Sequence, residues 1–404
     1  MPTTTAYVAP PAPQTRETRR RLAALALLGS MAVSFLAASA APTPLYQRYS
    51  LEWGGTALTT TEAFGVYALA VLGGLLVLGE LSNHVGRRPI LLGALALQSV
   101  ALLLFTTAGS YEPLFLGRVL QGIAAGAALG TLGATMIELH RVHGTVASSA
   151  APVAGTGLGA LAAGLAVGYL PWPTHLVYVA LIGVFVAQAI GLHLLVDANP
   201  TRPGVIASLR PTLAVPVPAR RAFTAAAPAL FAFWALAGLY GSLGPALVRS
   251  LAPGSSVALG GIALFVVAAA ATVTTYLRRN HDARRQLLHG IAALVVGALG
   301  SIAAIEAGTI WGFLAISLVS GAGFGMGLQG SIRSVVGLAE PQERPGLLSA
   351  VYLVSYAGLG APAVVAGWLV SRGDALTDVA VGYAAALIVL ALVAGVQLVR
   401  RSQQ

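Results

Sequence analysis

Long apolar runs recur along the chain, broken by short clusters of arginine, glycine, proline and small polar residues. Each run is close to or above the ~20 residues that an α-helix needs to cross a bilayer core. In order they predict spans over Leu22–Ala41, Glu62–Leu81, Pro89–Ala108, Pro113–Met136, Val146–Leu170 and His175–Leu195. After an interruption the series resumes with Ala222–Val248, Ser256–Leu277, Leu287–Ile305, Ile310–Val336, Gly346–Val370 and Val379–Val399. The pattern predicts an all-α integral membrane protein with twelve transmembrane helices. Residues 1–21 read as a polar, disordered tail and 22–196 as a first six-helix bundle. Residues 197–221 carry five prolines and read as a linker. Residues 222–399 then form a second bundle, and 400–404 a short tail.

Composition agrees with this picture. Hydrophobic residues make up 57% of the chain and charged residues only 9%, against ~25% charged in soluble domains. Mean hydropathy is +0.81. A net charge of +10 would point to nucleic acid in a soluble protein; here it serves topology. All the basic charge is arginine, and with a cytoplasmic N-terminus only Arg48, Arg249 and Arg372 fall outside, while Arg118 lies within a span. That bias obeys the positive-inside rule and places both termini in the cytoplasm of a bacterial-type inner membrane. The absence of cysteine excludes disulfides and thiolate metal sites. Ala38-Ser39-Ala40 mimics a signal-peptide cleavage site after an apolar run. Symmetry between the two halves argues that the first span is retained.

Between the second and third spans stands Gly79-Glu80-Leu81-Ser82-Asn83-His84-Val85-Gly86-Arg87-Arg88-Pro89. Two spans joined by so few residues form a tight hairpin, with Gly86 supplying the reversal and Pro89 suiting the first turn of the next helix. An arginine pair alone reads as a topology signal. The full spacing resembles the loop 2–3 signature of the major facilitator superfamily, Gly-x-x-x-Asp-(Arg/Lys)-x-Gly-Arg-(Arg/Lys). Gly79, Gly86, Arg87 and Arg88 match; Asn83 replaces the aspartate and His84 the usual base.

The fourth span carries Arg118, Gln121, Gly122 and Gly126, similar to the superfamily's helix 4 motif with Ala124 in place of its second glycine. A charge inside a span costs at least ~2.5–3.5 kcal/mol on insertion scales and marks function by default. Arg118 is therefore a candidate for binding an anionic substrate group, or for steering protons by its field; snorkelling to the nearby surface is the competing explanation. Gly155 and Gly159 in the fifth span fit helix packing. They also fit the superfamily's antiporter motif, whose proline is here Ala160.

The second half repeats the first. Asn280, Arg284 and Arg285 echo Asn83, Arg87 and Arg88, while Gly321 and Gly325 echo Gly122 and Gly126. Six spans per copy give both halves one orientation, a parallel repeat about the membrane normal. Ser317 is the counterpart of Arg118, so the intramembrane charge belongs to one half only.

Aromatic residues at helical spacing, Trp234 and Tyr240 in span 7 and Tyr352 and Tyr356 in span 11, read as packing or as ligand contacts; Tyr46 reads as an interfacial anchor. The resemblance implies two pseudo-symmetric bundles around a central cavity that these helices line, moving by alternating access. It also implies that loop 2–3 latches the cytoplasmic side. With Asn83 uncharged, Arg87 or Arg88 is expected to pair with Glu138, or with Glu80. No phosphate-binding loop, Gly-x-Ser-x-Gly or His-Glu-x-x-His sequence occurs, so neither an ATPase nor a hydrolase is expected. The expectation is a monomeric secondary transporter exporting a small organic molecule, ion-coupled, with protons as the coupling ion through Glu62 or the substrate and no cofactor or nucleic acid. The alternatives are an importer of a sugar or metabolite and a transport-inactive sensor or assembly protein.

Overall fold

A computed structural model describes residues 14–196, 203–340 and 342–400. The expected tail over 1–13, the start of the linker (197–202) and the final tail (401–404) lie outside the described residues. Among the described residues, twelve helices are long and apolar enough to span a membrane. They are α1 Gln14–Ala40, α2 Ala57–Leu78, α3 Arg87–Thr107, α4 Tyr111–Leu139, α5 Arg141–Tyr169 and α6 Leu176–Leu195, then α7 Val217–Ser242, α8 Val257–Leu277, α9 Ala283–Glu306, α10 Ile310–Val336, α11 Arg344–Ser371 and α12 Leu376–Arg400. No strand occurs among the described residues.

Several boundaries depart from the sequence reading for local reasons. α1 begins eight residues before Leu22, inside the segment expected to be disordered. Its basic first turns are held by the Glu17–Arg21 pair at 2.6 Å, four residues apart on one face. α2 starts ahead of Glu62 because the Thr56 and Thr59 side chains cap each other's backbone. Pro42 and Pro44 end α1, as expected. The chain then makes a single 3₁₀ turn and a short helix, Tyr46–Trp53, closed by left-handed Gly54. The seventh span is two pieces. α7 ends at Ser242 and a second helix, Gly244–Leu251, starts on Pro245, which has no N–H to continue the first. α7 also begins at Val217, so Arg220 and Arg221 sit on its first turns rather than in the linker.

The packing repeats by halves. α1 packs on α5 and α6, α4 on α2 and α3, and α3 on α6; α7 packs likewise on α11 and α12, α10 on α8 and α9, and α9 on α12. The paired glycines explain the tightest of these approaches. A Cβ at Gly122 would stand 2.4 Å from that of Ala70, and one at Gly126 2.7 Å from the Val71 carbonyl oxygen. In the second half a Cβ at Gly321 would lie 2.2 Å from the Val267 oxygen and one at Gly325 2.3 Å from that of Ala271. Only glycine lets these backbones meet. The two bundles join along two seams, α5 against α8 and α2 against α11, which exchange under the same pseudo-twofold.

Candidate functional site

A cavity of about 510 Å³ lies between the bundles. Its walls come from α1, α2, α4 and α5 on one side and α7, α8, α10 and α11 on the other. At one end it reaches Thr145 and Ser149 at the start of α5 and Arg333 near the end of α10, all exposed. This is the arginine-rich face. The opposite end is shut. There the Leu58 N–H donates to Ser371 Oγ at 2.8 Å. Thr61 packs on Gly367 and Phe64 on Gly241 so closely that a Cβ on either glycine would clash.

The lining is mostly apolar and, among the described residues, contains no aspartate, glutamate, lysine or histidine. Trp234, Tyr352 and Tyr356 line it, and Tyr240 does not. The Trp234 ring lies 5.0 Å from that of Tyr356 and 6.2 Å from that of Phe324, centroid to centroid. Tyr240 is buried behind the wall, its hydroxyl 2.7 Å from Ser317 Oγ and its ring stacked on Phe313.

Arg118 and Gln121 are also absent from the lining. Arg118 is wholly buried, so its guanidinium does not snorkel. It also lacks the direct cavity exposure that the sequence reading gave it. Nε donates to the Tyr46 hydroxyl at 2.7 Å, and Nη2 donates to the same oxygen. Nη1 donates to the Ser39 carbonyl at 2.8 Å and to Gln121 Oε1 at 2.6 Å. Gln121 Nε2 in turn donates to the Ala38 carbonyl at 3.0 Å. The guanidinium carbon stands 5.3 Å from the Tyr46 ring centroid and 5.0 Å from that of Tyr67, within cation–π range. No carboxylate lies within 4.0 Å of it among the described residues. Ser39 and Tyr67 do line the cavity, so one layer of side chains separates the charge from the space.

Tyr46, Tyr67 and Ser39 were missed as functional candidates. Tyr46 is buried rather than interfacial, because the two prolines fold the chain back so that its hydroxyl meets α4. The repeat held a clue: Tyr240 bonds Ser317, the residue matching Arg118, so a tyrosine at the end of the first helix of the second half, or just past it in the first half, meets that position.

In loop 2–3, Ser82–Val85 form one helical turn, and Gly86, at φ 101°, holds a left-handed conformation that side chains disfavour. Arg87 pairs with Glu138 at 2.7 Å and donates to Ser82 Oγ. Both partners belong to the first bundle, so the pair ties α3 to α4 and does not itself bridge the bundles. Arg88 contacts His193. Asn83 is exposed and makes no hydrogen bond through its side chain among the described residues. Contacts from this loop instead reach the linker, where His84 Nδ1 lies 2.8 Å from the Pro203 carbonyl and Thr212 Oγ1 3.5 Å from Glu80. The linker reaches on to α11, the Ala214 N–H donating to the Gly346 carbonyl at 3.3 Å. In the second half, Asp282 caps α9 and Arg284 donates to the Leu398 carbonyl, while Asn280 is exposed.

Residues 23–360 match the family model described as Major Facilitator Superfamily. Among solved structures, the chain is similar to a bacterial homolog of the human lysosomal transporter Spinster in an inward-facing and occupied conformation. The TM-score is 0.72 at 15% identity, covering 95% of this chain and 97% of that one. It is also similar to a variant of the nucleoside transporter NupG, with TM-score 0.69 at 13% identity over 94% and 99% of the two chains. No curated protein sequence matches.

Proposed function

We propose that this chain, which belongs to the Major Facilitator Superfamily, is a secondary transporter that exports a small organic molecule across a bacterial cytoplasmic membrane by alternating access. The observation that carries the reading is the cavity between the bundles. It is open at the arginine-rich face and sealed at the other by Leu58, Ser371, Thr61 and Gly367. With the arginine-rich face cytoplasmic, as the positive-inside rule requires, this is a cytoplasm-open state with both termini inside. The largely apolar, acid-free lining suits an amphipathic or hydrophobic substrate. Arg118 acts on the cavity through Tyr67 and Ser39 by its field rather than by touching substrate. Trp234, Tyr352 and Tyr356 are the substrate contacts. Coupling to protons runs through Glu62 or through a proton carried by the substrate.

The test is substrate profiling of a deletion strain and an overexpression strain, then counterflow of the identified solute in proteoliposomes. Saturable flux, lost when the sealed end is cross-linked through Leu58→Cys and Ser371→Cys, supports the reading. Binding without flux would move the protein to the sensor class, and substrate-coupled proton uptake by whole cells would make it an importer.

A further inference from the structure

The side of α10 that faces the cavity is a single stripe. Phe324, Gly325, Leu328, Gln329, Ile332 and Arg333 line the space in the i, i+1, i+4, i+5 rhythm of one helical face. Arg333 stands where that stripe reaches the open mouth. It is exposed, and among the described residues it is the one charged residue of the lining. Its Nη1 is held, donating to the carbonyls of Arg279 and His281 in the loop after α8, both at 3.0 Å. Its Nε and Nη2 have no hydrogen-bond partner, and no carboxylate lies within 4.0 Å of it, among the described residues. Those two N–H groups form the side of the fork that matches two oxygens of one carboxylate or phosphate. The carbonyls on Nη1 have already fixed the rotamer that such a pairing must otherwise order.

The hydroxyls around the mouth are engaged locally. Thr145, Ser148, Ser149 and Thr156 of α5 and Thr275 of α8 donate to backbone carbonyls at 2.6–3.4 Å. Deeper in, the stripe ends on an aromatic wall. Phe324 lies nine residues, or ~13 Å of helix, from Arg333, and its ring centroid is 6.2 Å from that of Trp234. The cavity is therefore graded, charged at the mouth and aromatic at depth. A cation finds no carboxylate in the lining among the described residues. It also meets a second fixed positive charge, the Arg118 guanidinium, 5.0 Å from the centroid of the Tyr67 ring.

We propose that the cavity takes an amphipathic anion, with Arg333 the specificity-determining residue. Nε and Nη2 of Arg333 receive one carboxylate or phosphate group side-on, and an apolar body reaches ~13 Å inward to the rings of Phe324 and Trp234. The Nη1 bonds to the loop hold the fork at the mouth while its free side reads the charge of what enters. This assignment names a substrate class for the cavity and rests on the reading of that cavity as the transport site.

Three pyrene probes on the same butyl arm separate the claims: 1-pyrenebutyrate, 1-pyrenebutanol and 4-(1-pyrenyl)butyltrimethylammonium. Their binding to the full chain in zwitterionic nanodiscs is measured by equilibrium dialysis, with empty nanodiscs subtracted. The carboxylate is expected to bind about fivefold tighter than the alcohol, the upper end for an ion pair open to water, and the ammonium compound more weakly than either. Added salt should shrink the preference for the carboxylate. Arg333→Gln, shown to be folded by its size-exclusion elution, should bring the carboxylate down to the affinity of the alcohol. Arg333→Lys, which keeps the charge without the fork, should restore the preference only in part. Equal affinity of the wild type for carboxylate and alcohol, a preference that survives in Arg333→Gln, tightest binding of the ammonium compound, or no binding by any probe would overturn the proposal. Saturable proteoliposome flux of cationic solutes alone would refute this assignment and leave the transport reading standing; failure to transport any solute would remove that reading itself.

Discussion

The Arg118 cluster makes an unusual demand, because its acceptors are all neutral. Replacing Tyr46 with Phe keeps the charge and the ring while removing the oxygen that receives both Nε and Nη2. Each buried donor left unpaired costs ~1–3 kcal/mol, more when charged. Two of them give ~2–6 kcal/mol, and the partners available to a membrane-embedded unfolded chain pull that toward ~2–3 kcal/mol. Arg118→Met loses these two bonds and the two made by Nη1, but it also removes a cation that has no counter-ion, and replacing buried ionic groups by apolar ones is often neutral or stabilising by ~1–4 kcal/mol. It should therefore unfold within about 1 kcal/mol of wild type, while Tyr46→Phe is destabilised by ~2–3 kcal/mol. The double variant should recover most of that loss. Denaturant titration in detergent micelles, followed by tryptophan fluorescence, closes this double-mutant cycle. Transport should be lost in Arg118→Met despite its stability, because the field at the cavity is gone. A variant Arg118→Met at least as unstable as Tyr46→Phe, or additive effects in the double variant, would refute the argument that the cluster confines an uncompensated charge. Full transport by Arg118→Met would refute its electrostatic role.

Three other expectations follow from the same geometry. Gly126→Leu should abolish folded protein in size-exclusion traces, since even a Cβ there would lie 2.7 Å from two backbone atoms of α2, whereas Gly93→Leu, with open space around it, should not. Transport driven by an imposed pH gradient should flatten in Glu62→Gln if Glu62 carries the coupling proton; an unchanged profile assigns the proton to the substrate. Asn83→Asp should shift spin-label distances across the arginine-rich face toward the closed state, and identical distributions in the two proteins would leave Asn83 without a part in any latch.

Most of the fold was legible because hydrocarbon imposes so few solutions: apolar runs must be helices, and arginines sort their ends. The glycine pairs at 122/126 and 321/325 announced both the repeat and its close helix contacts. What the sequence concealed was direction around each helix. Arg118 and Gln121 share a face, as their spacing implied, but that face turns to α1 rather than to the cavity. Nothing local in the sequence records which neighbour stands opposite. Tyr46 shows the same limit from the other side. A tyrosine after two prolines at a helix end has the composition of an interfacial anchor, and only the fold-back of 42–46 makes it a ligand to an arginine 72 positions away. The Arg87–Glu138 pair was readable because both residues end spans on one face of the membrane. That the pair stays inside one bundle was not.

The seam between α5 and α8 has one further consequence. Glycine and alanine make its closest approaches: a Cβ at Gly261 would stand 2.3 Å from the Ala160 carbonyl oxygen, Gly164 faces the Ala258 and Gly261 backbones, and Gly157 faces Ala268. Helices that interlock ridges into grooves resist a change of crossing angle, because side chains must climb over one another. Smooth backbones have no such teeth. At these glycines the seam is built as a plain bearing rather than a ratchet. The rocking motion proposed above would then come to rest at the rims, set by contacts as small as Leu58 on Ser371 at one end and the linker's hold on His84 and Gly346 at the other.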